Sequence, residues 1–352
     1  MSLLAVLLLQ IAPPPLPTLT VYVASEAVDR VSRIHFGPGG AVVERVIPVD
    51  PRPSENDGPH NLNVSPDGRF WYVSVAHGTP NGSLWKFDRS TDSVIGIATL
   101  GRFPATISFS PDGLYAWVAN FNLYGDMVPS SVSVVFTPTM TEVARVPTCL
   151  MPHGMRLNRA GTMAYGTCMM DDQVVEITPT TYKIARQISL GAAGHTGTAH
   201  AMTAPTCAPT WIQPTADGKR LYVACNRNAE VLELDAASLE VIRHIATGKT
   251  PYNLAISDDG RTLLATLKGQ RALSVIDLVA GAEVAQLPTS HTVPSGVQIT
   301  PDGRYAVVSQ EGKGAEAGAV DLFDIPGRTR LATVEVGAGA GGIAIAAYAI
   351  SQ

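Results

Sequence analysis

Pro59-His60-Asn61-Leu62-Asn63-Val64-Ser65-Pro66-Asp67-Gly68 is the stretch that decides the fold. It reads as a Pro, any residue, a small or polar residue, an apolar residue, a spacer, an apolar residue, then a turn closed by Gly. The phrase returns at Pro104, Pro152, Pro209, Pro251 and Pro294. Gly113, Gly161, Gly218, Gly260 and Gly303 follow nine residues after those prolines, as Gly68 follows Pro59. A degenerate copy begins at Ala340-Gly341-Gly342-Ile343-Ala344-Ile345. The steps between starts are 45, 48, 57, 42, 43 and 46 residues. A period of this size marks an array of supersecondary units that bury their apolar faces against one another.

Each Gly turn is followed by a second apolar run, such as Trp71-Tyr72-Val73 or Leu221-Tyr222-Val223-Ala224. A third follows (Leu84-Trp85-Lys86-Phe87, Val231-Leu232-Glu233-Leu234), then a fourth (Val94-Ile95-Gly96-Ile97, Val241-Ile242-Arg243-His244-Ile245). Four short strands per unit of about 40–50 residues make a propeller blade. The last copy supplies only a first strand, while Thr20 to Ser25 reads as a second strand without a first. The two ends therefore complete one blade together. The expected fold is an all-β, seven-bladed β-propeller over residues 20–352, with four antiparallel strands per blade and Ile343 to Tyr348 pairing with Val21 to Ala24.

Composition agrees with short strands and tight turns. The 352 residues are 45% apolar and only 16% charged, with 32 Gly and 26 Pro. A net charge of −5 argues against a general nucleic-acid binder, which needs a basic footprint. The apolar run Leu3 to Leu9 is too short for a transmembrane span, which needs about 20 residues. It suits the core of a signal peptide, although no Lys or Arg precedes Arg30. Residues 1–19 are read as a signal peptide and Pro-rich lead-in, which places the protein in the periplasm or outside the cell.

Leu221-Tyr222-Val223-Ala224-Cys225-Asn226, Ala116-Trp117-Val118-Ala119-Asn120 and Val21-Tyr22-Val23-Ala24-Ser25 resemble the repeats of the YVTN β-propeller family. The resemblance runs from Thr20 to the C-terminus. More distantly, the fold it implies is shared with the nitrous oxide reductase propeller, the haem d1 domain of nitrite reductase and lactonase-type propellers. One fold hosts many activities, so the resemblance implies architecture and no particular chemistry.

The first strand of a blade lines the central channel. The loop before it and the loop after the second strand open on one face, here called the mouth face. Residues just after each repeat Pro ring the mouth: His60, Ala105, His153, Thr210, Tyr252, Ser295 and Gly341. Two long departures from the repeat fall on the same face. One is Phe121 to Pro129, carrying Asp126; the other is Gly191 to Met202, carrying His195, His200 and Met202. Long loops on a rigid scaffold often carry function. His77 and His291 also map here, whereas His35 and His244 lie in outer strands.

The candidate ligand-binding residues are His60, His77, His153, Tyr252 and Asp126. The candidate metal ligands are His60, His153, His195, His200, Cys168 and Met202. Clustered imidazole with thioether and thiolate suits copper or zinc. His60 and His153 stand two blades apart, so one ion is expected to need a loop to join them. The cysteines allow three pairings. By repeat position Cys149 goes with Cys168 and Cys207 with Cys225; the rival reading keeps Cys168 reduced beside His153. No phosphate loop, His-Glu-x-x-His helix or haem attachment motif is present.

Three functions stay open: a binding propeller for a small ligand or metal, partnered by a periplasmic redox protein; a lactonase-like hydrolase or metal-dependent oxidoreductase; or a protein-interaction scaffold. The absence of Asp and Glu from the seven mouth positions counts against the hydrolase.

Overall fold

The structure, a computed structural model, describes residues 16–50, 54–78, 80–191 and 204–349. Among these residues 28 strands form seven four-stranded antiparallel sheets. The innermost strands are Pro59–Val64, Pro104–Phe109, Pro152–Leu157, Pro209–Pro214, Pro251–Ile256, Pro294–Ile299 and Ala340–Ala349. They pack in succession around one axis, and the last packs against the first. Blades 1 to 6 follow chain order. Blade 7 is composite: Ala340–Ala349 pairs with Thr18–Ser25, with Ile345 opposite Val21 and Ile343 opposite Val23. The first strand starts at Thr18, two residues earlier than the repeat indicates, and Leu16 packs on the same core. Ring closure removes the raw sheet edges of an open array.

The repeat phrase works through specific atoms. In blade 1, Ser65 Oγ donates to Asp67 Oδ1 at 2.6 Å and Asp67 Oδ1 accepts the Arg69 N–H at 3.0 Å. Gly68 closes the turn at φ 69°, a left-handed conformation that only Gly adopts at little cost. The other five turn glycines lie at φ 68–72°. Just past each repeat Pro the ladder to the second strand slips. A bulge of this kind leaves an N–H unpaired and re-aims the side chains around it.

A side chain of the second strand satisfies that N–H in four blades. Ser74, Thr167, Thr266 and Ser309 accept from the backbone N–H of Asn61, Gly154, Asn253 and Gly296. Three of these hydroxyls also stitch to the next blade: Ser74, Thr266 and Ser309 donate to the carbonyls of Ala105, Ser295 and Gly341. Blades 2, 3 and 4 make the same stitch with inner-strand side chains. Thr106 donates to the His153 carbonyl, His153 Nδ1 to Thr210, and Thr210 Oγ1 to Tyr252. In each case the acceptor is the carbonyl just past the repeat Pro, or past Ala340, which takes its place in blade 7. Among the described residues the junction from blade 7 to blade 1 lacks this stitch.

Cores lie between blades, as in the cluster of Trp211, Tyr222 and Ala224 with Leu254 and Leu263. Outer strands alternate exposed and half-buried, as in Thr141–Pro147. Cys149 is bonded to Cys168 and Cys207 to Cys225, each tying the loop entering a blade to the end of its second strand. Two disulfides fit an oxidising compartment. Among the described residues no helix is long and apolar enough to cross a membrane.

Candidate functional site at the channel mouth

Two rings of residues build the mouth. The residue before each innermost strand adopts positive φ in all seven blades: Gly58, Phe103, Met151, Ala208, Thr250, Val293 and Gly339, at 48–74°. This kink turns the incoming chain into the channel wall and presents the following side chains, His60, His153 and Tyr252 among them. The carbonyl of each kinked residue accepts a backbone N–H at 2.7–3.4 Å from the residue just past the second strand. Those donors are Glu26, Ala76, Phe121, Met169, Asn226, Lys268 and Glu311, and they form the second ring.

The two rings join into connected hydrogen-bond groups. Glu26 accepts from His60 Nδ1 and His77 Nε2, both at 2.7 Å. His153 is buried at 2% exposure. Its Nδ1 meets the Thr210 carbonyl at 2.8 Å, and a carbonyl can only accept, so the proton sits on Nδ1. His153 Nε2 is then free to accept from the Tyr252 hydroxyl at 2.9 Å. Lys268 Nζ lies 3.8 Å from the Tyr252 ring centre and 2.6 Å from Glu311 Oε1. The His60 and His153 rings are 6.2 Å apart, centre to centre. Phe103 and Phe121 pack edge-on beside them.

Burial pushes the Glu26 carboxyl up, but the His60 and His77 rings outweigh it and hold it well below the usual carboxylate range. The Glu26 hydrogen bond raises His77 above its ordinary 6.5. Burial pushes His153 down to about 3, and the neighbouring His60, Lys268 and Arg156 add to the effect. His153 is therefore a neutral imidazole at any physiological pH. Burial pulls the Lys268 ammonium down, but Tyr252 and Glu311 outweigh it and raise it.

These shifts predict a pH signature. The depressed Glu26 stabilises the fold above its unfolded value of about 4.5 and loses that contribution as pH falls towards its folded value. The raised His77 stabilises below 6.5 and loses its contribution as pH rises through its folded value. Both are whole between about pH 4.5 and 6.5. His153 acts in the opposite sense, costing stability as pH falls below 6.5. The unfolding free-energy difference between wild type and Glu26→Gln removes the His153 contribution. It should be largest in that window and shrink on both sides; a difference flat from pH 4 to 8 would refute the pairing.

The structure brings together His60, His77, His153 and Tyr252, and leaves other candidates out. Cys168 is disulfide-bonded to Cys149, so its sulfur is no thiolate ligand. Asp126 is exposed on the blade 2 loop, and its carboxylate makes no hydrogen bond or ion pair among the described residues; its backbone carbonyl accepts from Asn122 at 3.0 Å. His291 is half-buried at the edge of blade 6, where its Nδ1 lies 3.0 Å from Ser290 Oγ. His195, His200 and Met202 lie outside the described residues. Among those described, no three His, Cys, Asp or Glu side chains form a group that could hold a metal ion.

The His60 and His153 rings lie 6.2 Å apart across blade 2, where the first-ring position between them is Ala105. One expectation changes. The mouth contains acids: Glu26 and Glu311 enter from the second ring, along with Lys268. All three occupy the position one residue past the second strand, eight after the turn Gly for Lys268 and Glu311. The repeat spacing carries that signal.

Comparison with known proteins places this geometry among propellers. No curated protein matches the chain. A solved structure of Kuenenia stuttgartiensis hydrazine synthase is similar, with a TM-score of 0.62 and 21% identity, over 76% of this chain and 77% of that one. A functionally unknown protein from Desulfotomaculum acetoxidans DSM 771 is similar with a TM-score of 0.73 and 14% identity, over 93% and 99%. At such identities the likeness shows the fold alone. The YNCE-like beta-propeller family matches over residues 115–350, more than half of the chain. Together with the seven closed blades, that match means the chain belongs to the YNCE-like β-propeller family.

Proposed function

We propose that the chain is an exported binding propeller, periplasmic or extracellular, that takes a small ligand at the mouth of its channel. The observation that carries this reading is the concentration of Glu26, His60, His77, His153, Tyr252, Lys268 and Glu311 at one end of the axis, drawn from five blades. A purely structural mouth needs each polar group only to satisfy a neighbour. Here His60 Nε2 has no partner among the described residues, and its ring lies beside that of His153, which accepts from the Tyr252 hydroxyl; Lys268 and Glu311 come next along that chain of contacts. The two disulfides support export.

A copper or zinc ion is a second reading, favoured by the open Nε2 of His60; His153 would join it by exchanging the Tyr252 hydroxyl at its own Nε2. Neutral imidazole nitrogen is the form that ligates such metals. His195, His200 or Met202 would supply further donors. A periplasmic redox protein then becomes the natural partner.

Native mass spectrometry of protein purified from the exported fraction tests both readings. A bound organic mass that disappears in Tyr252→Ala supports the small ligand. A bound copper or zinc mass that disappears in the His60→Ala, His153→Ala double variant supports the metal. Protein carrying neither mass, even after incubation with each metal, overturns both. Recovery of the chain only from the cytoplasmic fraction overturns export.

A further inference from the structure

Beneath the mouth, the innermost strands of six blades line a half-open cavity of about 210 Å³. Its walls carry a single charged group, the Arg156 guanidinium, and no carboxylate. Arg156 Nη1 donates to the Met155 carbonyl at 2.7 Å, and the guanidinium lies 4.3 Å from the Trp211 ring centre. Among the described residues it forms no ion pair. Burial alone pulls it down to about 10, with no anion pulling back. Arg156 is half-buried, and a charge drawn even partly out of water without a counter-ion is costly, since buried charges are normally paired.

Most neutral groups of the walls lean the same way, although Gln213, whose Nε2 donates to the Pro214 carbonyl at 3.3 Å, keeps its oxygen as the spare atom. Asn61 Oδ1 accepts the Ile107 N–H at 3.3 Å and Gln298 Oε1 accepts the Ile345 N–H at 2.8 Å. A backbone N–H can only donate, so each amide has its oxygen turned to the backbone and its NH2 left over. Neither NH2 has a partner among the described residues. Trp211 Nε1 is buried without an acceptor. Asn253 Oδ1 is also unpartnered, and a flip of that amide exchanges its oxygen for another NH2. The site therefore holds a guanidinium, an indole N–H and free carboxamide donors, with nothing negative to receive them. Leu62, Leu254 and Val297 supply apolar wall between these groups.

We propose that this cavity binds a small aliphatic carboxylate, its oxygens on Arg156 and the unpartnered N–H groups and its hydrocarbon end on the apolar wall. The planar fork of Arg matches a carboxylate with two parallel hydrogen bonds. A volume of about 210 Å³ leaves room for an acid the size of butyrate. No residue of this site belongs to the mouth cluster, so it stands or falls independently of the ligand and metal readings there.

Calorimetric titration of the full chain with butyrate, sulfate and butylamine, at constant ionic strength, tests it. Butyrate should bind and raise the melting temperature. Sulfate, which lacks the hydrocarbon end, should bind more weakly, and butylamine not at all. Arg156→Gln should weaken butyrate by about 100-fold, the loss of two charge-assisted hydrogen bonds. The same variant without ligand should melt no lower than wild type, because it removes an unpaired charge. Arg156→Lys keeps the charge but loses the fork, and should weaken butyrate by about tenfold. No binding of butyrate, equal binding of sulfate or butylamine, or unchanged affinity in both variants would each overturn the proposal.

Discussion

Asp92→Ala is expected to destabilise the fold by about 3–5 kcal/mol, the cost of removing one partner from a buried ionic network. Asp92 lies between the third and fourth strands of blade 1, with its side chain fully enclosed. Its Oδ1 accepts from Tyr22 Oη at 2.7 Å and Trp71 Nε1 at 3.1 Å; its Oδ2 accepts from Arg33 at 2.7 Å and Arg45 at 3.5 Å. Tyr22, Arg33 and Arg45 belong to blade 7. The carboxylate therefore clamps the junction that lacks the channel-side stitch. Truncation leaves two buried donors and a partly buried guanidinium without their acceptor. Asp92 also sits at φ 54°, where Ala adds backbone strain that Asn largely avoids. Asp92→Asn should thus cost clearly less than Ala, keeping an acceptor for Tyr22 and Trp71 while losing the ion pair. Urea unfolding of the three proteins decides it. An Ala variant within 1 kcal/mol of wild type, by the scale of ordinary surface changes, would show that the clamp is idle.

Opening both disulfides is the other large effect. The bonds span 19 and 18 residues. In the chain-entropy account a loop of that size contributes about 3 kcal/mol, so the pair contributes about 6 kcal/mol. Against a whole-domain stability of about 5–15 kcal/mol, that loss is a large fraction. Thermal unfolding in reductant should fall by about 10 °C or more relative to the oxidised chain. The effect should be shared by the Cys149→Ala, Cys168→Ala and Cys207→Ala, Cys225→Ala double variants, each taking about half. Superimposable melts with and without reductant, in a sample whose four thiols titrate as free, would contradict the expectation. Because the bonds flank the blades that carry His153 and Trp211, partial reduction should also loosen the mouth before the ring opens.

The architecture was readable because Pro and Gly act through sterics that do not depend on context. The six turn glycines all adopt the left-handed conformation that their spacing implies, and the orphan strands at the two ends pair as the repeat phase requires. The first ring of the mouth follows from the same phase. What escaped the sequence depends on three dimensions. Phe103, Met151 and Val293 belong to residue types that rarely take positive φ, so nothing in their identity announces the kink that opens each blade. The approach of His60 to His153 depends on the radius of the channel and on the small side chain of Ala105. Glu26 gives no local sign that two imidazoles from another blade will converge on it. The isolation of Arg156 is a statement about what is absent around it, and no strand pattern records an absence.

Ring closure also has a consequence for timing. Thr18–Ser25 finds its inner partner only in Ala340–Ala349, a contact across nearly the whole length of the chain. A polypeptide delivered N-terminus first, from a ribosome or through a translocon, can shape blades 1 to 6 as they emerge. The segments that link Cys149 with Cys168 and Cys207 with Cys225 can close on the way. The composite blade cannot form until Ala340–Ala349 arrives. Until then the molecule is an open arc with two bare sheet edges, and its slowest step is the docking of ends most distant in sequence. During that interval it depends on dilution or on a holding partner to avoid joining its edges to those of a second arc.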